Sequence, residues 1–339
     1  MSDPWEALNA AIAEARQLVA AEAADEATAT EGEAYVARVV ASALTPQVMG
    51  HRLMEGGLSL ALPVYGGPNP DYIMRHSQVS ADGRYRLEGN LNGSERVAVG
   101  LYSLGRNGAP LVAGYTAFDR SNCNADGSFA LDLAAGLSGP GTLAIAPDVR
   151  IFMIRVLHRD SSAPARLIFT GGPEQRGPSL ATGTIEGALG MAAHVVRANI
   201  TEYMKWVRAA RNLANRLDSA PEELADTVIG DVDTQYFLGG YDLGEGEWLE
   251  VVLPGDLKGY WSLHAYNYWY EHLVTPGVHD RNAVVGEDGK VHIAVGPDAP
   301  AEMPNRIDTL GHRKGAFVCR IVGNGQEIPA PATVVRKGR

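Results

Sequence analysis

The amino-acid sequence predicts a mainly β protein with flanking helices, built from two antiparallel β units. Apolar residues recur at helical spacing before residue 57 and again in one long central segment. From Tyr72 onward the period changes to two, and turn signals such as Asn92-Gly93 and Asp126-Gly127 separate the short runs. Short strands at regular spacing, without helices between them, are typical of antiparallel sandwiches and barrels.

Residues 1–57 are predicted to form an N-terminal helical segment. Asp3-Pro4 has the residue types that favour the N-cap and the first helical position. The spacing Thr30-x-x-Glu33 matches a capping box and predicts the start of a second helix. Thr45-Pro46 predicts a third start, with Gly56-Gly57 ending that helix.

The remaining chain divides by composition and periodicity into three parts. Residues 58–170 are predicted to form the first β-sandwich unit, and residues 171–240 a linker with a long helix. The helix is predicted over 185–217, where Leu189, Val196 and Tyr203 recur at helical spacing. Residues 241–339 are predicted to form the second β-sandwich unit, since period-two runs return there.

Charge and composition exclude several classes of function. The formal net charge is -11, and eleven acids with no base lie between Arg216 and Lys258. We interpret this stretch as a solvated linker and surface; a cation site is the alternative, although the D-x-D-x-D-G pattern is missing. Without a Lys/Arg stripe, nucleic acid and anionic membranes are not expected as partners. No apolar run approaches ~20 residues, and no signal peptide is visible, so we expect a cytoplasmic protein.

Searches for cofactor and nucleophile motifs return nothing. GxGxxG, GxxxxGK[ST], GxSxG and HExxH are all missing, so we expect neither a metal nor a nucleotide cofactor. Cys123 and Cys319 are the only cysteines, and neither belongs to a CxxC motif. We expect two reduced, largely buried thiols, and one long-range disulfide is the alternative.

Residues 260–272 are the most unusual stretch of the sequence. If this stretch is a β-strand, one of its faces carries Tyr260, Ser262, His264, Tyr266, Tyr268, Tyr270 and His272. Aromatic bodies with hydroxyl or imidazole tips suit a pocket for a flat, mostly apolar ligand, and both groups move protons. The alternative is an amphipathic outer face whose tips meet water, since Tyr and Trp favour strands in any case.

Two further segments contribute candidate binding residues. On the strand predicted from Asp71 to Gln78, Tyr72 and His76 lie on one face and can face the same pocket as His264. Arg281-Asn282 lies in a polar loop, a place where binding sites are common, although a solvated turn is the simpler interpretation.

The aromatic stretch and its surroundings resemble a known bacterial family. The runs YFLGGYDLGEGEWLEVVLP, GYWSLHAYNYW and HDRNAVVGEDGKVHIAVGP are similar to the family called domain of unknown function 1214. NPDYIMRHSQVSADGRYRLEG is similar to the related N-terminal domain of unknown function 1254. The resemblance covers about residues 65–325. It implies two β-sandwich units of jelly-roll type, and it implies no reaction.

From these observations we expect an enzyme without metal or nucleotide, acting by Tyr/His acid–base chemistry on a small hydrophobic or aromatic catabolic intermediate. A lyase step, such as retro-aldol loss of formaldehyde or an elimination, needs only an acid, a base and a stacking wall. The predicted catalytic residues are His264, Tyr266 and Tyr268. The predicted substrate-binding residues are Tyr72, His76, Tyr260, Tyr270, His272, Arg281 and Asn282.

Two other classes of function stay open. One is a non-catalytic β-sandwich module that binds a carbohydrate or lipid on its aromatic side chains; the other is a structural component of an oligomer. Buried, convergent Tyr and His side chains in an enclosed cavity favour the enzyme, whereas a shallow exposed platform favours the binding module. The aromatic stretch and the apolar N-terminal helices also lead us to expect a homo-oligomer, most simply a dimer.

Overall fold

A computed structural model describes residues 3, 5–49, 54–60, 66–104, 110–158, 162–172, 182–221, 224, 231–323 and 327–338. Within these residues the chain is mainly β, with four sheets, two N-terminal helices and one central helix. This confirms the predicted fold class.

The three helices form one layer. They are α1 (Glu6–Glu22), α2 (Glu26–Met49) and α3 (Thr182–Asn212). Each buries one stripe at helical spacing, for example Leu8, Ala11, Ala15 and Val19 of α1. The buried stripes of all three helices share a single apolar cluster, so the layer packs as a unit.

The start of α2 differs from its prediction. The helix begins at Glu26, because Asp25 and Thr28 exchange side-chain to backbone hydrogen bonds of 2.9 Å, in the manner of a capping box. Thr30 lies inside the helix, where its hydroxyl donates to the Glu26 carbonyl at 3.0 Å. Pro46 does not start a third helix either, since α2 continues through it to Met49. The prediction for α1 misses by two residues, because its N-cap is Trp5 rather than Asp3.

The first β unit consists of two sheets. Its strands are β1 (Met54–Glu55), β2 (Leu58–Leu60), β3 (Tyr72–Gln78), β4 (Tyr85–Asn90), β5 (Ser94–Leu104), β6 (Pro110–Asp119), β7 (Ser128–Ala134), β8 (Thr142–Ala144), β9 (Val149–His158) and β10 (Arg166–Gly171). One sheet has the order β1-β2-β3-β9-β5-β6 and the other β10-β4-β7-β8. An apolar core that includes Leu87, Val99, Leu131 and Phe152 lies between them.

The second β unit repeats this plan. Its strands are β11 (Arg216–Ser219), β12 (Thr234–Asp242), β13 (Glu247–Pro254), β14 (Trp261–Tyr266), β15 (Val278–His279), β16 (Lys290–Val295), β17 (Arg306–Ile307), β18 (Lys314–Val322) and β19 (Ala332–Lys337). The sheets run β11-β12-β18-β14-β15 and β17-β16-β13-β19. Their shared core includes Leu249, Leu263 and Phe317, together with Cys319, whose thiol is free like that of Cys123.

The second unit begins earlier in the chain than residue 241. The helix predicted over 185–217 ends at Asn212, and Asn215 adopts a positive φ of 58°. The Asn215 side chain bonds the backbone of Asp242 in both directions at 2.9 Å. Leu217 therefore packs into the sandwich core instead of a helix face.

The sheet that contains β14 is buried on both faces. Its inner face meets the sandwich core, while Leu238, Tyr266 and Val318 on the outer face pack against the helices. At one end of the same outer face, Tyr260 contacts Leu157 and Tyr72 of the first unit. The helices and both β units thus meet at one place. None of the described helices is both long enough and apolar enough to cross a bilayer.

Candidate functional site

The predicted alternation along residues 260–272 holds only as far as Tyr266. Trp261, Leu263 and Ala265 of β14 point into the sandwich core, which leaves the even-numbered positions on the outer face. A tight turn follows, in which the Asn267 side chain accepts the N–H groups of Trp269 and Glu271 at 3.0 Å. The turn brings His272 back beside Tyr266 through an isolated antiparallel bridge.

This reversal decides which predicted residues come together. The rings of His264 and His272 lie 5.8 Å apart, and Tyr270 packs against Tyr266 at 5.1 Å. Tyr268 points away from this group, because its hydroxyl donates to the Glu22 carbonyl of α1 at 2.8 Å. The structure thus places the predicted catalytic Tyr268 outside the cluster.

The centre of the cluster is a carboxylate from the other β unit. Oδ2 of Asp71, one residue before β3, accepts the Tyr260 hydroxyl at 2.8 Å and lies 3.3 Å from Nε2 of His264. The Tyr260 hydroxyl oxygen also lies 2.8 Å from Ser262 Oγ and accepts Asn69 Nδ2 at 2.7 Å. A carboxylate, an imidazole and a phenol therefore share one hydrogen-bond network between the two units.

Burial and hydrogen bonding set the charge state of this network. Burial opposes ionisation of Asp71, but the hydrogen bonds from His264 and Tyr260 outweigh it and hold its pKa well below the usual range. Burial lowers the pKa of His264, and it lowers the pKa of His272 to about 4. Near neutral pH both imidazoles are neutral while Asp71 is charged.

The neutral state fixes the tautomer of His264. Ionised Asp71 only accepts, so Nε2 of His264 carries the proton and Nδ1 keeps its lone pair. Among the described residues neither Nδ1 of His264 nor Nε2 of His272 has a hydrogen-bond partner, although both atoms are buried. A Cβ on Gly277 would lie 2.2 Å from Nδ1, so the backbone of Gly277 packs against that edge of the ring and leaves no room there for a side chain of its own.

A buried arginine completes the outer face. Arg320 of β18 pairs with Ser262 across the sheet and is 5% exposed. Its guanidinium donates to the Tyr266 hydroxyl at 2.9 Å and to the Gly67 carbonyl, and it lies 5.9 Å from the ring centre of Tyr236. The Tyr266 hydroxyl in turn donates to the Pro68 carbonyl at 2.7 Å. Tyr266 thus holds Arg320 in place instead of offering a free proton donor.

The two candidates on β3 have different environments. Tyr72 meets Tyr260 edge-to-face at 5.9 Å, and its buried hydroxyl has no hydrogen-bond partner among the described residues. Burial raises the pKa of Tyr72, so the phenol stays protonated. His76 lies opposite Met153 further along β3, and no hydrogen bond or ring contact within the described chain joins it to the cluster.

The polar loop at residues 279–282 links the two β units. Arg281 forms an ion pair with Glu95 of β5. Asn282 donates to the Gly277 carbonyl at 2.9 Å and accepts the His279 N–H at 2.7 Å, which is a turn-stabilising role. Neither side chain contacts the Asp71–His264 network.

Part of the acidic stretch also joins the units rather than facing solvent. Arg96 of β5 lies 2.5 Å from Asp233 and 3.6 Å from Asp231, and the Asp231 carboxylate accepts the Tyr115 hydroxyl. Across the described ranges no group of three or more His, Cys, Asp or Glu side chains is arranged to hold a metal ion.

Sequence reasoning missed the two charged residues of the site. Asp71 was assigned to the opposite face from Tyr72, but it precedes the strand, so the alternation does not constrain it. For Arg320, the sequence does contain a pattern that predicts its place. Arg320 lies between Cys319 and Ile321, both core residues, and period two therefore places it on the outer face with His264.

Comparisons with known proteins show the fold. No family model matches the chain, and no curated protein matches it. An uncharacterized protein from Burkholderia cenocepacia is similar over 98% of this chain and 96% of its own, with a TM-score of 0.86 and 24% identity. A protein from Vibrio parahaemolyticus aligns over 88% of this chain and 97% of its own, with a TM-score of 0.46 and 11% identity.

Proposed function

We propose that this chain is an acid–base enzyme of lyase type that acts on a small hydrophobic or aromatic molecule, with His264 as its base. The observation that carries the proposal is the shared oxygen of Asp71, which contacts both Tyr260 and the Nε2 edge of His264. The opposite edge of the imidazole, Nδ1, is buried and has no partner among the described residues. Membership of the domain of unknown function 1214 family, proposed from the quoted motifs, names no reaction and does not affect this choice.

The base step follows from the tautomer. Nδ1 of neutral His264 takes a proton from the substrate, and the imidazolium that forms is stabilised by the Asp71 carboxylate behind it. In a retro-aldol reaction the proton comes from a β-hydroxyl group, whose oxygen forms the new carbonyl as the Cα–Cβ bond breaks. The electron pair passes to the Cα fragment as an enolate, and the imidazolium returns its proton there. No further reactant is needed.

The enolate oxygen needs a hydrogen-bond donor. Tyr72 supplies a buried, protonated hydroxyl with no partner in the described chain. Donors placed in advance where charge develops, in a site that excludes water, commonly supply a large part of the rate enhancement. Tyr260 links Tyr72 to Asp71, because its ring meets the Tyr72 ring edge-to-face and its hydroxyl donates to the carboxylate.

Burial argues against the exposed platform expected of a binding module. His264 is 1% exposed and Tyr260 5% exposed, so these side chains do not form an open aromatic platform. A module that only holds a sugar or lipid gains nothing from an ionised carboxylate kept beneath a neutral imidazole.

The test is a substrate screen with matched variants. Aryl β-hydroxy ketones and β-hydroxy acids are incubated with the protein, and released aldehyde is measured by coupled reduction with NADH. His264→Gln is expected to lower kcat by about 100- to 10,000-fold with the melting temperature retained. His292→Gln is the control, because His292 also faces carboxylates, those of Asp288 and Glu250, but is partly exposed and lies outside the cluster.

A second variant tests the position of the base. Gly277→Ala places a methyl group 2.2 Å from Nδ1, so the imidazole must shift from its place beside Asp71 and turnover is expected to fall although every catalytic side chain remains. Full activity of His264→Gln or of Gly277→Ala would contradict the assignment. Ligands that bind tightly without any aldehyde release or water loss would favour the carbohydrate- or lipid-binding module instead.

A further inference from the structure

Arg320 is a buried cation with no counter-ion among the described residues. It is 5% exposed, yet within that part of the chain its guanidinium meets only neutral oxygens, the Tyr266 hydroxyl and the Gly67 carbonyl. No carboxylate among the described residues lies within ion-pair distance of it. Asp71 lies in the neighbouring hydrogen-bond network, and its Oδ2 is directed at Tyr260 and His264.

Other arginines at element contacts are paired. Arg96 has Asp233 at 2.5 Å, and Arg38 forms a bidentate pair with the buried Glu271. Leaving a charge buried and unpaired is costly, so such a group is retained where a partner supplies the opposite charge. Arg320 has no carboxylate partner among the described residues, and it lies on the face that carries the proposed base.

The neighbours of Arg320 define the occupant. Tyr266, whose hydroxyl accepts from Arg320 at 2.9 Å, has its ring centre 5.9 Å from that of His272, and the His272 ring lies 5.8 Å from that of His264. The ring centres of Tyr236 and Tyr266 each lie 5.9 Å from the guanidinium carbon. A cation among aromatic rings fits a molecule that is apolar at one end and anionic at the other.

We infer that Arg320 binds the carboxylate of the substrate, so that the substrate is a hydrophobic or aromatic carboxylic acid. The inference rests on the proposed function, since it assigns a substrate class to the same site. One guanidinium near the single negative charge of Asp71 suits a monoanion better than a phosphate dianion, whose second charge would be unpaired. A guanidinium also matches a carboxylate with two parallel hydrogen bonds.

The experiment compares acids with their neutral analogues. Benzoate, phenylacetate and trans-cinnamate, each beside its primary amide, are titrated by calorimetry and by thermal shift. The wild-type protein is expected to prefer the carboxylates. Arg320→Met should weaken carboxylate binding roughly 10- to 150-fold and leave the amides unchanged, as expected for a charge-assisted hydrogen bond of about 1.5–3 kcal/mol. Arg320→Lys keeps the positive charge, so its carboxylate affinity should lie between that of the wild type and that of Arg320→Met.

Two variants separate this inference from the proposed reaction. Arg313→Met is the control for loss of an arginine, because Arg313 pairs with Asp298 near the surface. His264→Gln removes the base but should keep the preference for carboxylates. Equal binding of acids and amides, equal carboxylate affinity in Arg320→Met, or no binding of any carboxylate would each overturn the inference. Loss of turnover in His264→Gln would still support the acid–base proposal in every one of those cases.

Discussion

Replacing Asp71 by Asn tests the central feature of the site without changing its shape. Oδ2 of Asp71 contacts both Tyr260 and Nε2 of His264, so the substitution removes the charge that Nε2 faces at 3.3 Å. We expect the amide nitrogen to take the place of Oδ2, because the Tyr260 hydroxyl can then accept from it and donate to Ser262 Oγ at 2.8 Å. If the amide nitrogen turns toward His264, Nε2 must accept, and the imidazole proton moves to Nδ1. The base that the mechanism needs is then blocked by its own proton.

The expected cost has a kinetic and a thermodynamic part. An imidazole that carries its proton on the wrong nitrogen lowers kcat by roughly 100- to 10,000-fold, even when its position is unchanged. A hydrogen bond to a charged group contributes about 1.5–3 kcal/mol, so the free energy of unfolding at pH 7 should fall by about that amount. A buried carboxylate with a depressed pKa stabilises the fold above its unfolded pKa of about 3.9, and this stabilisation is lost as pH falls through the folded pKa. The difference in unfolding free energy between the wild type and Asp71→Asn should therefore begin to shrink below pH 4.

The assay needs no substrate. Long-range ¹H–¹⁵N spectra of the imidazole rings report the tautomer of His264 directly, and urea unfolding from pH 3 to pH 7 reports stability. The wild-type ring should carry its proton on Nε2, and the Asp71→Asn ring on Nδ1.

Asp288→Asn is the matched control, because Asp288 faces Nε2 of His292 at 3.0 Å at a partly exposed site. It should change the His292 signals and leave His264 as in the wild type. An unchanged His264 tautomer in Asp71→Asn, or a stability loss that is as large at pH 3 as at pH 7, would refute the reasoning.

Three further outcomes are expected. Because His272 has a folded pKa of about 4, the unfolded chain binds one more proton than the folded chain between pH 6.5 and 4. The free energy of unfolding should therefore fall by up to about 1.4 kcal/mol for each unit that the pH is lowered through this range. His272→Gln should flatten this slope in urea titrations, and an unaltered slope would count against a neutral His272 ring. Leu263→Ala should lower the free energy of unfolding by about 2–5 kcal/mol, because it opens a cavity in the core. A change in ligand affinity without a loss in melting temperature would mean that the two faces of β14 are exchanged. Arg38→Met should cost about 1–3 kcal/mol, because the buried Glu271 loses its half-exposed partner but still accepts Asn267 Nδ2 at 3.0 Å. Combining it with Glu271→Met should recover most of the loss, and a double variant without recovery would show that the two residues do not act as a unit.

The sequence by itself determined the fold class and the division of β14 into two faces. Local rules suffice here, because strand alternation and turn residues act over a few positions. Trp261 and Leu263 are core residues and His264 faces outward, as the alternation predicts. The same rule would also have placed Arg320 on the outer face. The class of reaction, the substrate and a homodimer stay predictions.

The tertiary structure decided which side chains form the site. The turn at Asn267 ends the alternation, so it brings His272 back to His264 and sends Tyr268 to α1. Asp71 reaches His264 across 193 positions of sequence, through contact between two separately folded β units. Local periodicity carries no information about such a contact, because the packing of one unit on another depends on the shape of both surfaces. The sequence could therefore indicate the imidazole, and only the packed structure supplies the carboxylate behind it.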